Sequence, residues 1–249
     1  MKIDVLPVFG DITEKQLRGK LAVVFDVLRA TSTIVTALAN GCREVVPVLT
    51  VEEALAYAED HPDAILGGER DSLLIPGFHL GNSPLEFTSG RVKGKTVVLT
   101  TTNGTRAIRR AARGSAGVLI GSLLNIKAVA EEIAGAGYDV VMVCAGTRGC
   151  FSLEDTVAAG MVCRELARTV PGKKAPLLES DFAAAACRLA DFYSKDPLRA
   201  LYDSLHGQKL AARGFSEDLT FCSRLNSAGI APGYRHGRIF TVPFTVPGN

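Results

Sequence analysis

The chain has 249 residues, of which 28 are basic and 26 acidic, a formal net charge of +2 and 47% hydrophobic content. This is enough apolar material for a large core, and no whole-molecule field draws the chain to nucleic acid or to a membrane surface. Six cysteines without a Cys-x-x-Cys pair, and a start without a long apolar stretch, predict a reduced, cytoplasmic protein.

Residues 1–20 read as an edge strand and a polar connection. Val23-Val24-Phe25-Asp26 then leads into Leu28-Arg29-Ala30-Thr31-Ser32, an apolar β-branched run followed by a polar turn and a helical pattern. Val45–Leu49 reads as the next strand, Thr50 caps a helix from Val51, and Ala64–Arg70 closes a third strand with an arginine turn. Pro76–Pro84, rich in glycine and proline, reads as a long shaped loop. The pattern then repeats, with Thr100 standing 74 positions after Asp26. Val97-Val98-Leu99-Thr100 leads into Thr102-Asn103-Gly104-Thr105-Arg106, Val118–Ser122 follows, Asn125 caps a helix from Ile126, and Val141–Arg148 closes the copy. Beyond 150 the pattern is helical. Ser152 with Asp155 opens a helix to about Val170, and further helices span Asp181–Ser194, Pro197–Leu210 and the stretch from Ser216. Arg238–Val242 reads as a last strand. The expectation is one compact α/β domain over residues 1–249, with βαβαβ units at about 21–75 and 95–150 and a helical part at 151–235.

Ligands of open α/β sheets sit at the carboxyl ends of strands, so the repeated turns mark the expected working face. Arg29, Arg70, Arg106 and Arg148 fall there, beside Thr31, Ser32, Thr101, Thr102, Asn103, Thr105 and Thr147. Guanidinium groups, hydroxyls and free helix N-terminal amides are common ways of holding phosphate-like oxygens. Asp26 ends an all-apolar strand, and Glu69 sits in the matching third-strand turn. Both have the chemistry to bind Mg2+, and both equally read as partners in local ion pairs, Asp26–Arg29 and Glu69–Arg70. Glu154 and Asp155 suit the start of a helix dipole and join a site only if that helix points to the same face. Familiar signatures fail: Leu28 replaces the second acid of Asp-x-Asp phosphatases, Cys144 and Arg148 are spaced too closely for a cysteine phosphatase, and no P-loop is present. The four histidines, His61, His79, His206 and His236, show no metal-ligand spacing.

Asp26-Val27-Leu28-Arg29-Ala30-Thr31-Ser32-Thr33, Gly68-Glu69-Arg70-Asp71, Pro76-Gly77-Phe78 with Leu80-Gly81-Asn82-Ser83-Pro84, Thr100–Arg106, and Cys144-Ala145-Gly146-Thr147 with Phe151–Asp155 together resemble the 2-phosphosulfolactate phosphatase family. The resemblance runs in order through His206-Gly207 and Gly214–Leu219. It implies a three-layer α/β/α sandwich and a Mg2+-dependent phosphatase that converts 2-phosphosulfolactate to 3-sulfolactate and phosphate, the coenzyme M biosynthetic reaction. On that reading Asp26, Glu69, Arg29 and Arg70 are catalytic. Asp26, Glu69, Glu154 and Asp155 are the metal candidates. The substrate-binding set comprises Thr31, Ser32, Asn82, Ser83, Thr101, Thr102, Asn103, Gly104, Thr105, Arg106, Gly146, Thr147 and Arg148. The expected partner is a small anion carrying phosphate with sulfonate or carboxylate, with no nucleic acid and no membrane; a homo-oligomer is left open. Two other readings also stay open: a non-catalytic sensor of a sulfonated or phosphorylated metabolite, and an isomerase or lyase of a phosphorylated acid.

Overall fold

A computed structural model describes residues 1–10, 12–170 and 176–241. Its elements in chain order are β1 (Lys2–Leu6), α1 (Glu14–Leu17), β2 (Leu21–Phe25), α2 (Ala30–Ala39), β3 (Glu44–Pro47), α3 (Val51–Asp60), β4 (Ile65–Arg70) and β5 (Leu73–Leu74). There follow α4 (Ser89–Val92), β6 (Thr96–Thr100), α5 (Gly104–Ala111), β7 (Gly117–Gly121), α6 (Ile126–Ala136), β8 (Val140–Cys144) and α7 (Leu153–Thr169). The chain continues with β9 (Leu177–Leu178), α8 (Asp181–Tyr193), α9 (Pro197–Asp203), α10 (Leu205–Ala212), α11 (Ser216–Cys222), β10 (Gly233–Arg235) and β11 (Arg238–Phe240).

The strands form one sheet in the order β5-β4-β6-β3-β11-β10-β7-β2-β8-β1-β9. β2, β6 and β8 are buried along their whole length, which explains their near-continuous apolar runs. Alternate side chains divide between two faces. Ala22, Val24, Val45, Val97 and Leu99 join α2 and α5 in one core that crosses both halves of the sheet. On the opposite face Leu21, Val23 and Phe25 pack with α6, α7 and α8, whereas Val46, Val98 and Leu66 form a smaller core with α3. The molecule is therefore an α/β/α sandwich, with about 1.5–3 kcal/mol of hydrophobic stabilisation for each large side chain withdrawn from water.

The two repeats do not sit side by side. β2, the first strand of the first copy, lies between β7 and β8 of the second; β6, the first strand of the second copy, lies between β3 and β4 of the first. Exchanging the copies reverses the order β4-β6-β3 into β7-β2-β8, so the two halves are related by a pseudo-two-fold centred on the β10–β11 hairpin. That hairpin joins β7 to β3 through three antiparallel pairings, so the halves run in opposite directions along the sheet. At the ordinary sheet twist of about 20–25° per strand, the four steps from β2 to β3 amount to about 80–100°.

Differences from the sequence expectations are local. β1 is not an edge strand, because the two-residue β9 pairs along its outer side. The helix expected over Pro197–Leu210 breaks at Ser204, whose backbone N–H closes α9 onto the Ala200 carbonyl while its hydroxyl accepts from the Gly207 N–H to open α10. Asn125 precedes α6 without capping it; its side chain instead ties Ser122 to Ile120 and Ile230. The last strand ends at Phe240, and Val242 lies outside the described residues. No helix among the described residues is long and apolar enough to cross a membrane.

Candidate active site

Two strand-to-helix junctions build the floor. At the first, the Asp26 N–H donates to Thr31 Oγ1 (3.1 Å) and the Thr31 N–H to the Asp26 carbonyl (2.9 Å). At the second, the Thr101 N–H donates to Thr105 Oγ1 (3.3 Å) and the Thr105 N–H to Thr101 Oγ1 (3.1 Å). The helices that follow bring their N-termini together on Asp26, whose carboxylate accepts from the backbone N–H groups of Ala30 and Gly104. Gly104 is required by this approach: a Cβ there would stand 2.5 Å from Ala30 Cβ and 2.7 Å from Asp26 Oδ2.

The floor is acidic. Burial first, then the charges of Glu69 and Glu154, push the Asp26 carboxyl up to about 8 against the lowering effect of the two helix N–H groups. Glu69 Oε1 accepts from the Thr102 N–H (2.8 Å) and hydroxyl (2.9 Å), and Oε2 from the Ser72 N–H (2.7 Å). Its placement depends on Gly68, at φ 151°, where a Cβ would lie 2.2 Å from the Thr100 carbonyl oxygen. Asp155 is a brace between strand ends: Oδ1 accepts from the Val27 N–H (2.8 Å) and Oδ2 from the Gly146 N–H (3.2 Å). Its carboxyl is raised by burial, then by Glu154 and Asp26. Glu154 is raised by burial and lines a neighbouring cavity.

Neither expected local ion pair forms. Arg29 donates from Nη1 to Asp218 Oδ2 (2.8 Å) and from Nη2 to the Ser72 carbonyl (2.8 Å), and it lies 4.4 Å over the Phe215 ring. Ser83 donates to the other Asp218 oxygen (2.5 Å). Arg70 donates to the Glu69 carbonyl (2.7 Å) and to Thr100 Oγ1 (3.0 Å), away from both carboxylates.

Between the junctions lies a narrow hollow of about 60 Å³. Of the residues expected from sequence, Asp26, Arg29, Glu69, Asn82, Thr102, Asn103, Thr147 and Arg148 line it, so turns after β2, β4, β6 and β8 do converge. Thr31, Ser32, Thr101 and Thr105 are buried and spend their hydroxyls on the turns themselves. Gly104 and Gly146 contribute backbone N–H groups to Asp26 and Asp155. Arg106 lies on the exposed side of α5, and Arg70, Ser83, Glu154 and Asp155 stand outside the lining.

Leu28, Asp71, Ser72, His206 and Lys209 complete the lining without having been singled out as site residues. His206 and Lys209 share one face of α10 at i, i+3, a spacing that flags the pair once one member is suspected. His206 hydrogen-bonds the Leu28 backbone, its Nδ1 is buried without a partner among the described residues, and burial with the nearby Arg29 and Lys209 charges lowers it to about 4. Thr147, Arg148, His206 and Lys209 also line a wider cavity of about 500 Å³, where Phe151 and Leu205 add apolar surface. Cys144 is fully buried, and burial drives its thiol well above the ordinary value, so it packs rather than attacks.

Among the described residues no three His, Cys, Asp or Glu side chains form a ready-made metal cage. The donor chemistry of the floor nevertheless fits a hard divalent cation. Asn82 Oδ1 is buried with no donor among the described residues, and it faces a hollow shared with Asp26 and Glu69, where negative charge crowds together. Mg2+ characteristically takes one or two carboxylates and completes its shell with water and substrate phosphate, so a partial set of oxygens is what such a site requires.

A family model described as 2-phosphosulpholactate phosphatase matches residues 8–237. A protein of Symbiobacterium thermophilum named "probable 2-phosphosulfolactate phosphatase" is 49% identical over 227 residues, covering 90% of this chain and 95% of its own length. Proteins of the same name from Clostridium acetobutylicum and Carboxydothermus hydrogenoformans are 43% and 44% identical, covering 96% and 93% of this chain and 100% and 92% of their own lengths.

Proposed function

The chain belongs to the 2-phosphosulpholactate phosphatase family, phosphoric monoester hydrolases by name, and on that premise we propose that it hydrolyses 2-phosphosulfolactate to 3-sulfolactate and phosphate with Mg2+. The observation that carries this reading is the convergence of four strand-end turns on one hollow whose floor is acidic and whose rim is cationic. Asp26 and Asn82, with Glu69 beside them, would hold the cation. When bound it would draw charge from the phosphoryl oxygens as the transition state develops.

The chain's own groups supply the rest. Asn103 and Thr147 present amide and hydroxyl groups at the hollow, suited to orienting phosphoryl oxygens, Thr102 spends both its donors on Glu69, and Arg148 adds charge at the mouth. Asp26, fixed by the N–H groups of two helices, presents the reactive carboxylate. In the overall step a P–O bond forms to water oxygen, the bond to the C2 ester oxygen breaks, and the leaving alkoxide takes up a proton. Arg29 serves through position: its two donors tie the loop at Ser72, which lines the hollow, to Asp218 on α11.

The test is phosphate release by the purified chain from 2-phosphosulfolactate with Mg2+ and with excess chelator. The expected result is turnover with the cation and none with chelator. Turnover unaffected by chelator overturns the magnesium assignment, and no turnover in either overturns the reaction. An acid-labile phosphoenzyme lost in Asp26→Asn distinguishes attack by Asp26 on phosphorus from attack by water that Asp26 orients.

A further inference from the structure

The cationic rim of the hollow carries a finer arrangement. Where the narrow hollow opens into the wider cavity, Arg148 Nη2 and Lys209 Nζ both lie 3.7 Å from the same atom, Asp71 Oδ1. At that distance neither contact is a hydrogen bond, and neither cation donates one to a described residue. The Asp71 and Arg148 side chains are 74% and 75% exposed, so water screens their attraction and parting them costs little. Asp71 is held by its backbone instead: Arg213, just past the end of α10, donates to its carbonyl oxygen. Asp71 and Arg148 both adopt left-handed backbone conformations, with φ 51° and 54°, which place the two loop tips opposite one another.

We propose that Arg148 and Lys209 are the specificity-determining pair for the substrate's sulfonate, and that the Asp71 carboxylate occupies that group's place until substrate displaces it. The inference rests on the proposed phosphatase reading and deepens it. A phosphoryl group seated between Asp26 and Thr147 leaves the rest of a small ester at this seam, because Thr147, Arg148, His206 and Lys209 line both spaces. A sulfonate offers three acceptor oxygens to cations whose donors are unspent, whereas Asp71 reaches them through one oxygen at ion-pair range. His206, whose charged form is disfavoured by burial, lines both spaces beside Lys209. An ester without the sulfonate leaves the Asp71 pairing intact and gains nothing at the seam.

The experiment compares kcat/KM on 2-phosphosulfolactate, 2-phospholactate and isopropyl phosphate, which carry successively fewer acidic groups, in the wild type and in Lys209→Met, Arg148→Met and Asp71→Asn. The expected result is a loss of selectivity for 2-phosphosulfolactate over 2-phospholactate of about tenfold in either cation variant, carried by KM, and a gain of about threefold in Asp71→Asn. A proportionate change on all three esters, or unchanged selectivity, overturns the proposal. If the wild type releases phosphate from none of them, the parent reading fails, and calorimetric titration with 3-sulfolactate decides the seam separately. Binding weakened by Lys209→Met and strengthened by Asp71→Asn supports it; equal affinities in all variants, or no binding, overturn it.

Discussion

The junctions after β2 and β6 share one frame and carry different chemistry. Ala30 and Gly104 are first helical residues, Thr31 and Thr105 follow them with hydroxyls that accept from the turn backbone, and each matched pair is 74 positions apart. Where the first junction has Asp26 and Arg29, however, the second has Thr100 and Asn103. The first holds a buried carboxylate and a buried cation, and the second supplies a glycine thin enough to approach them together with donors that face the hollow. The frame the two junctions share thus forms the cradle, and the positions at which they differ carry the groups proposed to react.

The most severe way to break this difference is Asp26→Asn, which keeps the shape but removes the group's ability to ionise. Phosphate release is expected to fall about 10³-fold or more, roughly 4 kcal/mol of barrier, with circular dichroism unchanged. Next, Asp218→Ala strands the Arg29 guanidinium in a site where both side chains are almost fully buried, and a loss of about 3–5 kcal/mol in urea unfolding is expected. Gly104→Ala brings a Cβ against both Ala30 and Asp26, costing about 1–3 kcal/mol along with displacement of the carboxylate. Combining it with Ala30→Gly removes one of the two clashing partners, so stability should recover in part while activity does not.

The pH dependence of the metal-free protein separates the junctions more gently. Asp26 is raised from 3.8 to about 8 by burial and by Glu69 and Glu154, so between those values the folded state holds a proton that the unfolded state has released. Stability present below the lower value is therefore lost as pH rises toward the upper one, at about 1.4 kcal/mol per pH unit for a fully retained proton. Urea midpoints measured from pH 5 to 8 should fall, and Asp26→Asn should flatten the slope without abolishing it, because Glu154 and Asp155 are raised in the same sense. Smallest is Ala30→Gly alone, about 0.5–1 kcal/mol from backbone entropy, with Asp26 still held by both N–H groups.

Much of the frame was legible because it is local. An apolar run, a polar turn and a helical period announce a junction wherever they occur, and a repeat of them announces its partner. Asp26, Glu69, Thr102, Asn103 and Arg148 followed from standing at strand ends. Arg70 and Arg106 stand there too, yet the direction of a side chain is set by neighbours the repeat does not name: Thr100 draws one aside, and the helical turn carries the other to the exterior. For Arg29 the sequence offers an ion pair with nearby Asp26 as one of two readings, whereas its partner Asp218 arrives from 189 residues away. Lys209 and His206 were hidden for the same reason, since α10 owes its position to the packing of α9 and α11 rather than to any pattern of its own. Strand pairing was the least legible property, because β2 and β6 are both apolar runs buried along their whole length and neither names its neighbours.

That exchange of first strands has a consequence for biosynthesis. When the ribosome has released the first repeat, β3 and β4 still lack the strand that belongs between them, and β2 has no neighbour to pair with until β7 and β8 emerge. The nascent chain must carry unpaired hydrophobic edges until β6, β7 and β8 emerge, the condition under which chains stick to one another. A truncation near residue 95 should accordingly yield insoluble material rather than a half-sized domain. Cutting the gene between the repeats offers no route to a minimal catalyst.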